Sequence, residues 1–303
     1  MKMRLLHSLI FISLTMQIAV GQTQYDLIEK AYKKKSIQML SQFFDNWSIE
    51  ISPNNSVIKN DTIKEVYNVF KEFYKPTQLS LLGGSEWGNS IYLRAKYFVV
   101  QSKLKKIYFA DKVYFTDKEL DSLSIVKIKE HYKNDSITQI KMIQLDNNGH
   151  LDSYLISAYG PTSKYYPEYN PLLKDSINEF YPQIDYFDKK AVYLTTEYQK
   201  LLEKFLGDSH SKLGSNGIMN PARSKGESKK RKTFIDNLIT TFYGHWGGYW
   251  QLNTYPYINS ITFDKEMKYA KVEFRMVYEG GEALLKKEGE KWIIINSHIT
   301  WIE

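Results

Sequence analysis

The carboxyl-terminal stretch constrains this chain most. Ala270, Val272, Phe274, Met276 and Tyr278 alternate with Lys271, Glu273 and Arg275, which gives an extended strand one apolar and one polar face. Similar segments read as strands near 257–264, 268–279, 281–287 and 291–302. Asp264-Lys265-Glu266, Glu279-Gly280-Gly281 and Glu288-Gly289-Glu290 separate them. Turns that short force neighbouring strands to run antiparallel, so the pattern predicts a meander. A helix over 228–243 precedes it, with Phe234, Ile235, Leu238, Ile239 and Phe242 inward and Gly244 as its stop.

The rest of the chain reads as helices followed by strands. Leu27, Ile28, Ala31 and Tyr32, then Ile37, Leu40, Phe44 and Trp47, fall at helical spacing. A third helix starts at Asp61, carries Ile63, Val66, Phe70 and Phe73, and stops before Pro76. From Ser90 the period changes to two, and Ile91, Leu93, Ala95, Tyr97 and Val99 alternate with Tyr92, Arg94, Lys96 and Phe98. That predicts a strand with one wet face, and further strands are expected at 105–115, 124–132, 137–145 and 151–158. Residues 159–192 read as a Tyr- and Pro-rich connector with a short helix near Leu172–Phe180. Thr195 caps a helix through Tyr198, Leu201, Leu202 and Phe205 that Gly207 ends. The fold class is therefore α+β: helices packed on antiparallel sheets, in an N-terminal domain over 22–192 and a C-terminal domain over 193–303 with a curved meander.

Residues 1–21 read as a secretory signal, with Lys2 and Arg4 ahead of an apolar run and Ala19-Val20-Gly21 as the small-residue cleavage site. Its removal takes two basic residues and lowers the net charge from +7 to +5. The expected product is exported, periplasmic or extracellular, with no integral membrane span. The chain has no cysteine, which excludes disulfides, thiolate metal sites and a thiol nucleophile. His131, His150 and His210 stand at separations that fit no metal motif, and no phosphate-cradling glycine loop precedes a helix, so neither metal nor cofactor is expected. The surplus is aromatic: 24 Tyr, 15 Phe and 6 Trp make ring stacking the most available recognition chemistry.

The expected helix laid on a bent four-stranded meander resembles the NTF2-like (SnoaL-like) fold over about 194–303. The segment Gly244-His245-Trp246-Gly247-Gly248-Tyr249-Trp250 and the closing Trp301-Ile302-Glu303 give the chain a likeness to exported proteins of the Bacteroidetes type. That superfamily includes enzymes, binding modules and interaction domains, so the resemblance implies a fold and no single activity. Its enzymes often carry an Asp–His pair in a pocket, and no such pair aligns here.

Trp246, Tyr249, Trp250 and Tyr257, around two flexible glycines, are the candidate ligand-binding residues, bordering a pocket for a small molecule or glycan. The bland reading of the same run is a turn whose rings plug the end of the sheet. His245, His298 and Glu273 are the catalytic candidates, a histidine with Glu273, Glu282 or Asp264 being able to act as a general base for a hydrolase or isomerase. A third reading is a platform for an envelope protein partner. Lys33-Lys34-Lys35 and Lys229-Lys230-Arg231-Lys232 are the dense basic runs. On helix faces of an exported chain they suit solvent, an acidic glycan or a membrane surface better than nucleic acid. The leading expectation is a non-catalytic binding module.

Overall fold

A computed structural model describes residues 23–53, 61–84, 88–147, 149–152, 170–171, 176–186, 188–207, 226–244 and 250–303. The expected signal at 1–21 and residues 159–169, 172–175 and 187 of the connector lie outside the described residues. The fold is α+β with a curved carboxyl-terminal sheet, as the pattern predicts. No helix among the described residues is long and apolar enough to cross a membrane.

Two strands explain the layout. β1 (Tyr97–Gln101) and β4 (Lys190–Leu194) pair in parallel, with Tyr97 opposite Lys190 and Gln101 opposite Leu194. All five residues of β1 are buried, so the expected wet face does not exist. Tyr97 and Val99 enter one hydrophobic core, whereas Phe98 and Val100 enter the other. Val192 and Leu194 of β4 likewise join the first core and Tyr193 the second. A strand buried on both faces reads as a continuous apolar run, which Tyr97-Phe98-Val99-Val100 is. The ribbon is thus the partition between two cores.

The first core is helical. It is built by α1 (residues 23–33), α2 (Ile37–Glu50), α6 (Thr196–Leu206) and α7 (Glu227–Ile235). Ser36 caps α2 through Met39 N, and Thr195 caps α6 through Tyr198 N. Trp47 is fully buried, and its indole N–H donates to Tyr193 O at 3.1 Å, which fixes α2 on the ribbon.

The second core lies under the large sheet. Its strands are β2 (Lys106–Ala110), β3 (Asn170–Pro171), β7 (Tyr257–Asp264), β8 (Tyr269–Met276), β9 (Glu279–Glu288) and β10 (Lys291–Ile302), in the order β10-β9-β8-β7-β2-β3. The meander β7–β10 is antiparallel throughout, as expected, but β2 adds in parallel to β7 and β3 follows it. The boundary expected at 192/193 is therefore not a boundary of the sheet or of either core. Ile261, Phe263, Val272, Phe274, Ala283, Leu285 and Trp292 cover the inner face. Helix α3 (Asp61–Phe73) fills the space above them with Val66, Phe70 and Phe73. Gln101 couples partition to sheet: its amide donates to Ile258 O at 3.1 Å and its carbonyl accepts from Ile258 N at 2.7 Å.

Several elements differ from expectation. Most of 124–132 and of 137–145 is helical, in α4 (Asp117–His131) and α5 (Ser136–Met142), because side chains close their first turns. Thr116 and Glu119 form a reciprocal capping box at α4, and Asp135 accepts from Thr138 N at α5. The strand expected at 105–115 ends at Ala110. The helix expected to reach residue 243 ends at Ile235, where Asn237 donates to Thr233 O and Phe234 O and so satisfies the terminal carbonyls. Phe242–Tyr243 is instead a short strand, β5, paired with β6 (Trp250–Gln251).

The glycine pair expected to turn the chain lies inside β9, and the turn falls at Val277-Tyr278. Gly280 and Gly281 serve close approach: a Cβ on Gly280 would stand 2.1 Å from the Trp301 ring, and one on Gly281 would stand 2.3 Å from His298 O.

Candidate functional site

The expected aromatic rim is not assembled among the described residues. His245, Trp246 and Tyr249 lie outside them. Trp250 is 5% exposed within the helical core, edge-on to Tyr243 at 5.0 Å, with its N–H on Gly207 O. Tyr257 is half-buried on the other core, and burial pushes its phenol up. The bland reading suits Trp250, whose ring is core.

The two described catalytic candidates, His298 and Glu273, are engaged elsewhere. His298 is opposite Glu282 in the β9–β10 ladder, but its ring stands edge-on to Phe115 at 4.7 Å. Glu282 accepts from Lys271 Nζ at 2.9 Å, a nearly buried ammonium, and Glu273 accepts from Ser260 Oγ at 2.7 Å. Asp264 accepts from the backbone N–H groups of Lys268 and Tyr269 and closes the β7–β8 turn. A histidine–carboxylate contact does form at His150 Nδ1 and Asp121 Oδ2, 2.9 Å apart on the surface of α4. The hydrogen bond to the Asp121 carboxylate raises the imidazole above its ordinary value. Among the described residues no cluster of three His, Asp or Glu side chains is placed to hold a metal ion.

A cavity lies where the parallel ribbon ends. Ser102 and Lys103 follow β1, while Thr195, Thr196 and Glu197 carry β4 into α6. Both strands point their carboxyl ends into the same space, the position at which parallel α/β units characteristically leave a crevice. The opening is about 680 Å³. Tyr25, Tyr181 and Tyr198 give it ring surfaces, Lys103, Lys200 and Lys204 its cations, and Glu50, Glu179 and Glu197 its carboxylates.

The local sequence sets each wall. Tyr198 is stacked on Trp47 at 4.2 Å and 3°, and its hydroxyl donates to Glu50 Oε2 at 2.6 Å. Burial, then the bond to Glu50, pushes this phenol far above the ordinary range, so it keeps its proton and remains a donor. Tyr181 is pushed up by burial and by Glu179 and Glu197. Ser102 Oγ donates to Leu194 O at 2.6 Å and ties the two strand ends together. Lys103 Nζ reaches Thr196 Oγ1 at 3.4 Å, and Lys204 Nζ lies 4.0 Å from the centre of the Tyr25 ring. Glu179 has φ +52°, in the left-handed region that disfavours a residue with a Cβ. Gln24 Oε1 is buried without a hydrogen-bond partner among the described residues.

Tyr25, Glu50, Lys103, Tyr181 and Tyr198 are not among the residues that sequence reasoning singles out. The available signal was Ala191-Val192-Tyr193-Leu194 running straight into the Thr195 cap, a strand-to-helix junction. Compared with protein-family models, curated proteins and solved structures, the chain matches none.

Proposed function

We propose that the protein is a binding module for a small polar molecule of saccharide size, held in the cavity at the carboxyl ends of β1 and β4. One observation carries this reading. A 680 Å³ opening, within the usual range for small-molecule sites, is bordered by three tyrosines and by both signs of charge. Tyrosine faces suit a sugar ring, and the lysines and carboxylates suit its hydroxyl and acidic groups. The strained Glu179 and the unpaired Gln24 oxygen support the reading, because strain and orphaned acceptors concentrate where a ligand is received. Tyr198 and Glu50 are engaged with each other, which favours holding over proton transfer.

Isothermal titration of the full chain with glucose, N-acetylglucosamine, galacturonic acid and their disaccharides tests this. At least one should bind, with affinity falling about tenfold or more in Tyr181→Ala and in Leu201→Trp, which puts an indole into the opening. Absence of heat across the panel, or binding that both substitutions leave unchanged, overturns the proposal.

A further inference from the structure

The two basic runs stand far apart in the chain and meet in the fold. The bend after α1 and the first turns of α7 border one depression of about 570 Å³, lined by Lys35, Lys229 and Lys230 with Thr233, Phe234 and Asn237. The other cations of the second run have structural partners. Arg231 donates to Glu29 and to Phe205 O and lies 4.9 Å over the rings of Tyr32 and Phe205, so it staples α7 to α1 and α6. Lys232 pairs with Asp236 one turn on.

Lys35, Lys229 and Lys230 are different. All three are exposed, and among the described residues no carboxylate forms an ion pair with them. Lys35 has φ +54°, donates its N–H to Tyr32 O at 3.0 Å and holds its ammonium 4.0 Å from the Tyr32 ring centre, which sets its direction. Lys229 and Lys230 occupy the start of α7, where the helix dipole disfavours positive charge. Like charges brought to one depression repel one another, and none of the three has an ion pair among the described residues to offset that.

The geometry points to a docking surface for an acidic saccharide, a glycan whose carboxylate or sulfate groups neutralise Lys35, Lys229 and Lys230. The depression is concave, and Thr233 and Asn237 line it with hydrogen-bonding groups suited to sugar hydroxyls. A bilayer surface is a poorer fit: Phe234 is 7% exposed and Tyr32 6%, so neither ring projects for insertion. The same burial leaves no stacking platform for unpaired bases.

The test measures affinity of the full chain for a heparin-derived oligosaccharide and an oligogalacturonate across a salt series. Phosphatidylglycerol vesicles and duplex DNA serve as competing classes. The triple variant Lys35→Gln/Lys229→Gln/Lys230→Gln should weaken oligosaccharide binding at least about tenfold at low salt. It should also flatten the dependence of log affinity on log salt by about 2–3, close to one per lost charge contact. Lys118→Gln/Lys129→Gln/Lys133→Gln on and after α4 removes the same charge elsewhere and should change affinity less than about threefold. Should the first triple variant lower the unfolding midpoint, Lys229→Gln alone should still flatten the slope by about one. The proposal is overturned if neither oligosaccharide binds the unaltered protein, if the variants at the depression match it, if the α4 variant loses as much, or if vesicles or DNA bind more tightly.

Discussion

Tyr198→Phe and Tyr198→Ala separate the two ways in which this ring holds the wall of the cavity. The phenylalanine variant removes one oxygen, the donor to Glu50 at 2.6 Å, and leaves the stack on Trp47 at 4.2 Å in place. A hydrogen bond to a charged group contributes about 1.5–3 kcal/mol, but Glu50 is exposed and water can replace the donor. Replacement by water takes the loss to the low end or just below it, about 1–1.5 kcal/mol, or about 2–6 °C in melting temperature. The alanine variant also empties a ring-sized space beside the fully buried Trp47 and should cost about 3–5 kcal/mol. Urea midpoints of the two variants and the unaltered chain provide the comparison. Equal losses in both variants would show that the hydroxyl, not the stacked ring, anchors the wall. No loss in either would mean that Tyr198 does not join α6 to α2 as described.

Gly281→Ala should destabilise by about 1–3 kcal/mol in urea unfolding, because the added Cβ would meet the rigid His298 carbonyl at 2.3 Å, and a neutral result would contradict the close approach of β9 and β10. Glu282→Gln leaves the Lys271 ammonium, 5% exposed, without its carboxylate and should cost up to about 3 kcal/mol, whereas Lys271→Met should cost less. A larger loss in the methionine variant would refute that ordering. His150 should titrate above an ordinary histidine by NMR, and Asp121→Asn should lower it toward the ordinary value. The sign follows from a raised folded-state pKa: this contact stabilises fully below the ordinary histidine pKa and is lost as pH rises through the raised one. An unchanged His150 titration in Asp121→Asn would remove the pair.

The meander was legible because its strands alternate cleanly and its turns are short; 257–264 and 291–302 match β7 and β10 residue for residue. The glycines of β9 misled because Gly280-Gly281 has turn chemistry locally, while the need for glycine comes from Trp301 and His298 on another strand. In α4, Val126 and Ile128 alternate with Lys127 and Lys129 as strand residues do, and the Thr116–Glu119 capping box that reverses the reading stands several residues upstream. Tyr97-Phe98-Val99-Val100 could be recognised as a strand but not as a partition, because burial of its second face depends on α2, α6 and β4.

The cavity was least legible. Glu50, Lys103, Tyr181 and Tyr198 belong to four segments that meet only through a parallel pairing, and a parallel pairing leaves no turn signal. The tryptophan-rich run drew attention because rings mark both cores and ligand walls, and composition does not distinguish them. Trp250 belongs to the first kind.

Backbone amide shifts recorded while a binding saccharide is titrated into isotope-labelled full-length protein test the placement of the site most directly. The largest changes should fall at Ser102, Lys103, Tyr181 and Thr195–Tyr198, around the ends of β1 and β4. Changes centred on Trp250 and Tyr257, with those residues silent, would contradict that placement.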